Sequence, residues 1–139
     1  MKKIITLFLC ITILFNMVVP VCASNARLSH GIDAIYVFGI APTGLAELAI
    51  NYTGNSSSFT DITVESYIQK RSLGFIWTKV DINEENNTWI DTSTDTSGIF
   101  RHQLQLNSTG TYRAVFKITF AGNGGADDVI EDKIEAVYE

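Results

Sequence analysis

The sequence predicts an all-β fold, a single antiparallel β-sandwich of seven or eight strands that follows an N-terminal signal peptide. Apolar and polar residues alternate in several segments, turn-forming residues separate these segments, and no segment has a convincing helical period. The clearest alternation runs from Tyr112 to Phe120, where five apolar side chains share one face. Gly122–Gly125 then suits a turn, and Asp128–Tyr138 returns as the last strand of a hairpin.

Residues 1–23 are expected to be a signal peptide that is removed on secretion. Two lysines precede an apolar run over residues 4–19, and small residues end at Ala23, after which we place the cleavage. A retained membrane anchor is an alternative, but the run is short and Pro20 ends it. Lipid attachment at Cys22 is another, although the residues before it lack the expected leucine and small side chains.

Processing at this position changes the composition of the chain. Both cysteines leave with the signal peptide, so the remaining 116 residues form no disulfide and depend on their core for stability. Lys+Arg falls from 10 to 8 against 15 Asp+Glu, so the net charge moves from −5 to −7. This balance argues against nucleic acid and anionic membrane faces as partners. We expect a flexible arm over residues 24–31 and one domain over 32–139, with no membrane span after processing.

The alternation of apolar and polar residues, and the turns between the alternating segments, predict where the strands of this domain lie. They are expected over residues 33–40, 45–52, 60–70, 75–82, 89–90, 99–106, 112–120 and 128–138. The segment 45–52 also has a helical reading, but its alternating apolar residues favour a strand. His102 is expected to be half-buried, in phase with Phe100 and Leu104, and residues 91–98 are expected to form an exposed polar loop.

One short motif adds a resemblance to a known fold. The segment Leu106–Tyr112 contains Gly110-Thr111-Tyr112 and is similar to the corner that opens strand F in immunoglobulin-like and fibronectin type III domains. The resemblance implies an immunoglobulin-like sandwich in which the Tyr112 hydroxyl bonds back to the preceding turn. Ala114 stands where antibody domains have a cysteine, so the likeness is to members without that disulfide.

The order of segments over about residues 60–138 also resembles small secreted proteins of Gram-positive bacteria that have no assigned function. The likeness is carried by Ile68-Gln69-Lys70, Trp77-Thr78-Lys79-Val80 and Thr111-Tyr112-Arg113. It implies the fold and secretion, and it supplies no catalytic residue.

The residues needed for catalysis are few. His30 and His102 are the only histidines, no cysteine remains after processing, and no Gly-x-Ser-x-Gly motif is present. His30 lies in the predicted arm, where a fixed geometry is hard to hold. We therefore predict no enzyme, no catalytic residue and no cofactor, and a hydrolytic enzyme is the weakest of the readings.

Carboxylates are plentiful in residues 81–85, 91–95 and 127–132. The default interpretation is a solvated surface, and the alternative is a weak calcium site built from loop oxygens. The segment beginning at Asp81 lacks the glycine and the final glutamate of an EF-hand loop, so no metal ligand is assigned.

Aromatic residues are the best lead to a binding surface. Tyr67, Trp77 and Trp89 are the candidates, because flat rings on a strand surface stack sugars or anchor a protein. Tyr67 is expected to face outward and Trp77 is expected in the core, with an outward Trp77 as the alternative; Trp89 is left open. The sequence thus predicts a secreted, non-catalytic binding or adhesion module of a Gram-positive bacterium, with an unidentified protein or carbohydrate as its partner at the cell exterior. The alternative is a secreted effector, toxin-like or an immunity protein, that also acts by binding.

Overall fold

The structure is a computed structural model and describes residues 22–23 and 28–139. These residues form nine strands: β1 (Cys22–Ala23), β2 (Gly31–Ile40), β3 (Leu45–Gly54), β4 (Phe59–Ser72), β5 (Ile76–Lys79), β6 (Trp89–Ser93), β7 (Ser97–Gln105), β8 (Gly110–Gly122) and β9 (Asp128–Tyr138). A single 3-10 turn, Glu85–Asn87, lies between β5 and β6. The described residues contain no α-helix, so the predicted all-β class is confirmed, and β3 confirms the strand interpretation of residues 45–52.

Two antiparallel sheets form the layers of a β-sandwich. One has the order β1-β2-β3-β7, and the other has the order β5-β4-β8-β9, with β6 pairing farther along the same side of β4 as β5. Strands β2, β3 and β7 in one layer and β4, β8 and β9 in the other follow the A-B-E and C-F-G orders of immunoglobulin-like domains.

The core lies between the layers and consists of the inward residues, which alternate with outward residues along each strand. Phe116 in the middle of β8 is fully buried and packs against Tyr36 of β2, with ring centroids 4.4 Å apart. The inward face predicted for the central strand is confirmed. Its members, Tyr112, Ala114, Phe116, Ile118 and Phe120, are all buried.

The resemblance to the strand F corner made a geometric prediction, and the structure confirms it. The Tyr112 hydroxyl donates a hydrogen bond to the Ser108 carbonyl at 2.6 Å, and the Tyr112 ring is buried. The bond ties the turn before β8 to the first inward residue of that strand.

A polar contact joins the two layers along the side where β2 and β9 lie. The Tyr36 hydroxyl donates to the Asp132 carboxylate at 2.6 Å. Asp132 is an inward position of β9, placed between the buried Ile130 and Ile134, so its carboxyl group meets a hydrogen-bond donor where an apolar residue would be expected.

The start of β2 differs from the expectation for the predicted arm. The prediction that His30 lacks a fixed geometry is wrong, because its side chain is 1% exposed and its backbone N–H donates to the Asp128 carboxylate. Gly31 is already part of β2 and donates to the same carboxylate at 3.0 Å. The imidazole packs against Gly122, where an added Cβ would collide with it. Residues 24–27 of the predicted arm lie outside the described residues.

Asp128 holds this end of the sandwich together through its charge. Desolvation by burial opposes the ionised form, but hydrogen bonds from the backbone N–H groups of His30, Gly31 and Ser29 outweigh it and lower the pKa of Asp128. The carboxylate therefore stabilises the fold most when it is ionised.

Two predicted boundaries are wrong in the strands at the edges of the sheets. The strand expected over residues 75–82 contains only the four residues of β5, and the loop expected over 91–98 is mostly strand. Polar residues 91–93 belong to β6, and residues 97–98 belong to β7. Edge strands have one unpaired side, so polar side chains there resemble a loop in sequence.

The predicted signal peptide falls outside the described residues except for Cys22–Ala23, which pair with Tyr36 and Ile35 of β2. Within the described ranges, no helix has the length and apolar character needed to cross a bilayer.

Candidate ligand-binding surface

The outer face of the five-stranded sheet carries two of the three predicted aromatic residues. Tyr67 projects from β4 on the side opposite the buried Ile68, so its predicted outward orientation is confirmed. Trp77 of β5 pairs with Arg71 of β4 and is half-buried on this same face. The expectation that Trp77 packs in the core is wrong, and the outward alternative is correct.

Cationic side chains cover both rings. The Arg113 guanidinium lies 4.1 Å from the centroid of the Trp77 ring, and Arg71 lies 5.7 Å from it. The Lys79 ammonium lies 4.2 Å from the centroid of the Tyr67 ring. These distances fall within the range of cation–π attraction, which fixes the long side chains against flat rings. We call these five residues, Tyr67, Arg71, Trp77, Lys79 and Arg113, the aromatic–cation platform.

The positive charges of the platform are not neutralised by carboxylates. Among the described residues, the contacts within 4.0 Å between a basic and an acidic side chain are Arg101–Glu47 and His102–Asp91, and neither involves a platform cation. The platform cations bond to neutral acceptors instead. These are Gln69 for Arg113, Thr111 for Arg71, and Thr88 and the Asn86 carbonyl for Lys79.

The hairpin between β4 and β5 exposes apolar side chains beside the platform. The pairing of β4 with β8 ends at Lys70, so beyond that residue β4 pairs only with β5. At the tip, Leu73 is 81% exposed and Phe75 is 76% exposed. Ile76 follows and is also exposed. We call Leu73, Phe75 and Ile76 the apolar tip.

A recess of about 430 Å³ lies at the base of the same hairpin. Lys70 and Lys79 line it, together with the hydroxyl-bearing residues Ser72, Thr78 and Ser108. The Lys70 ammonium donates to the Ser108 hydroxyl at 2.6 Å. The lining also contains the Asp81 carboxylate and the Gln105 and Asn107 amides, so the recess offers both hydrogen-bond donors and acceptors around the Lys70 ammonium.

Trp89, the third predicted aromatic residue, is not part of the platform. It lies on the inward side of β6, opposite the buried Ser66, and stacks on the His102 imidazole with centroids 4.4 Å apart and planes 4° apart. His102 Nε2 is 2.6 Å from the Asp91 carboxylate. The half-buried position predicted for His102 is confirmed, and the three side chains join β6 to β7 across the layers.

The carboxylates do not gather into a metal site. No group of three or more His, Cys, Asp or Glu side chains able to hold a metal ion occurs in the described part of the chain. Asp91, Asp128 and Asp132 are engaged by His102, by backbone N–H groups and by Tyr36 respectively.

A larger groove, of about 730 Å³, runs along the outer face of β2, β3 and β7. Its lining is mostly aliphatic and includes Ile35, Val37 and Ile99. Two polar residues of the lining, Glu47 and Arg101, bind each other, and hydrogen bonds from Gln103 and Arg101 lower the pKa of Glu47. They do not converge on a space where a small ligand would need them.

Comparison with protein families, with curated proteins and with solved structures finds no match to this chain. The platform, the tip and the recess are therefore the features of the chain that bear on its function.

Proposed function

We propose that the protein is a secreted, non-catalytic binding module that meets a partner at the cell exterior through the aromatic–cation platform. The observation that carries this proposal is the placement of two aromatic rings under three cations that lack carboxylate partners on one sheet face. Such a face offers a partner positive charge on side chains that the aromatic rings hold in place.

The platform is suited to binding because little order has to be gained when a ligand arrives. Trp77 and Tyr67 sit on paired strands, and the ring faces and neutral acceptors already restrict the Arg113 and Lys79 side chains. Immobilising long side chains costs free energy on association, so a surface ordered in advance binds more tightly. Tryptophan and arginine are also the residue types that dominate binding energies at interfaces.

A secreted effector is the second candidate, and the apolar tip is the feature that favours it. Exposed apolar residues on a projecting hairpin suit a toxin-like protein that acts on the surface of another cell. Adding the purified protein to cultures of neighbouring bacteria tests this role. Growth inhibition that disappears with Phe75→Ser supports the effector, and unchanged growth at high protein concentration argues against it.

The binding role is tested by capture from cell envelopes and culture medium with immobilised protein. Trp77→Ala and Arg113→Gln are expected to weaken capture about thirtyfold each if they are central contacts. Arg101→Gln is the matched control, because it removes an exposed cation that lies on the other sheet and is paired with Glu47. Capture that is equal for all three variants would contradict the proposal.

A further inference from the structure

The apolar tip is unusual in its local conformation as well as in its exposure. Ser72 to Phe75 form a β-turn in which the Phe75 N–H donates to the Ser72 carbonyl at 3.2 Å. Its two central residues, Leu73 and Gly74, have φ angles of 51° and 80°. Two positive φ angles define a type I′ turn, in which asparagine or glycine is strongly preferred at the first central position.

The geometry of the turn therefore does not explain why residue 73 is leucine. A bulky side chain at positive φ is a genuine outlier and destabilises the turn locally. Burial of the leucine side chain does not compensate for this local cost, since Leu73 is among the most exposed apolar residues of the described chain. Residues held in strained conformations without structural benefit point to a functional role at that position.

Positive charge surrounds the base of this hairpin on both of its faces. Arg71, Lys79 and Arg113 lie on the outer face, and Lys70 lies beside the recess. Acidic residues are also present here: Asp81 lines the recess, Glu135 is opposite Arg113 in the sheet, and Glu85 precedes Asn86, whose carbonyl accepts from Lys79. Among the described residues, none of the three forms an ion pair within 4.0 Å with these cations. The net charge of −5, or −7 without the predicted signal peptide, argues against an anionic membrane only for the surface as a whole, because it sums over the whole chain and does not describe this cluster of cations.

We propose that the apolar tip and the surrounding cations dock on the surface of an anionic phospholipid bilayer. Leu73, Phe75 and Ile76 enter the boundary between headgroups and acyl chains, and the cations contact lipid phosphates. The recess at the base of the hairpin receives one phosphate-bearing headgroup, for which the Lys70 ammonium and the neighbouring hydroxyls supply donors, while the Lys79 ammonium stays on the outer face over Tyr67. This proposal deepens the proposed function and rests on it, since it names the partner of the same surface.

A bilayer fits these features better than a protein or a polysaccharide does. Three apolar side chains on a narrow projection offer little flat area, whereas a stable protein interface buries roughly 800 Å² on each partner. A sugar polymer would leave the aliphatic Leu73 and Ile76 in water. The surface of an anionic bilayer takes up apolar side chains and attracts lysine and arginine to its phosphates. This hairpin has its apolar side chains at the tip and its cations nearer the base, which matches that arrangement.

The test is sedimentation of the purified protein with vesicles, with its N-terminus established by mass spectrometry. One set of vesicles is phosphatidylcholine with about one-third phosphatidylglycerol, and the other is phosphatidylcholine alone. We expect binding to the first set at low salt, weaker binding as salt screens the cations, and little binding to the second set. A shift of the emission of Trp77 to shorter wavelength, measured in the Trp89→Phe background, should accompany binding.

Three variants separate the tip from the rest of the surface. Leu73→Asn creates the Asn-Gly pair that a type I′ turn prefers, so it should keep or improve the fold while it weakens vesicle binding about tenfold or more. Phe75→Ser should weaken binding by a similar factor. Arg71→Gln should weaken it about fivefold and reduce its dependence on salt. Ile99→Ser is the control, because it removes a half-exposed apolar side chain from the opposite sheet.

All variants share the same N-terminal residues, so a difference in vesicle binding between them comes from the substituted side chain. Loss of binding with Leu73→Asn and Phe75→Ser but not with Ile99→Ser supports the proposal. Absence of binding to anionic vesicles at low salt, or equal binding by the Leu73→Asn variant, overturns it. If envelope capture still depends on Trp77 in that case, the binding module stands and its partner is a protein or polysaccharide. If capture is also independent of Trp77, both proposals fail.

Discussion

Tyr112→Phe tests the corner at the start of β8 by removing one hydroxyl group and little else. The hydroxyl donates to the Ser108 carbonyl at 2.6 Å, and its contact with the Ser108 hydroxyl, at 3.4 Å, is at most weak. A neutral hydrogen bond contributes about 0.5–1.5 kcal/mol net. Ser108 is exposed, so water can replace the lost donor at its carbonyl and no buried acceptor is left unpaired. We therefore expect a loss of about 1 kcal/mol.

The loss can be measured by urea unfolding followed by circular dichroism. The midpoint should fall while the slope stays constant, because the variant buries the same surface as the original chain. In a thermal scan the same loss corresponds to about 4 °C for a domain of about this size.

The control is Tyr67→Phe, which removes the hydroxyl of an outward tyrosine that forms no hydrogen bond to the described residues. This variant should change stability by less than about 0.5 kcal/mol. If the two variants lose equal stability, or if Tyr112→Phe loses none, the corner does not stabilise the fold and the reasoning is refuted.

Three further changes test the core and the start of β2. Phe116→Ala should cost about 3–5 kcal/mol in urea unfolding, because it empties the centre of the core; a nearly neutral result would show that the packing is misassigned. Ser66→Ala should raise stability by about 1 kcal/mol, since the fully buried hydroxyl has no partner among the described residues; a loss would mean that it has one. Asp128→Asn should cost at least about 1 kcal/mol at neutral pH. Because the pKa of Asp128 is lowered in the folded protein, its contribution to stability is complete above the ordinary aspartate pKa of about 3.9 and disappears as the pH falls through the folded value. The stabilities of the variant and the original chain should therefore converge in acid. A difference that stays constant with pH would contradict this.

The parts of the fold that could be predicted are those in which one face of a strand is buried and the other is wet. Burial forces alternation, so the inward faces of β4, β7 and β8 were readable from residues such as Ile62, Phe100 and Phe116. The Tyr112 corner was readable because its geometry depends on residues only a few positions apart.

The features that could not be predicted are those in which buried and exposed residues do not alternate along a strand. Beyond Lys70 the β4–β5 hairpin has no opposing layer, so the alternation around Trp77 carried no information about which side was inward. His30 is a single buried residue with no periodic neighbours, and its burial depends on Gly122, which is distant in sequence. One signal was available: Leu73 stands at a turn position that favours asparagine or glycine, beside Phe75.

The platform itself depends on pairings between distant strands. Arg113 reaches Trp77 because β8 and β5 both pair with β4 in a fixed register, through Gln69 and Arg71. Register is set by the complete set of inward residues and by the turns, so neighbours of this kind are not visible in a single segment.

The contact between Tyr36 and Asp132 has a consequence for how copies of this protein meet. β9 is a long outer strand, and its free backbone groups would accept a strand from another molecule, which is the first step of fibril growth. The Asp132 carboxylate on the inward side of the strand, together with the charged Lys133 and Glu135 beside it, makes such stacking costly, because inward and flanking charges on an edge strand resist burial against a second copy. Replacing Asp132 by valine should therefore yield a protein that assembles into fibrils at concentrations where the original chain stays dispersed.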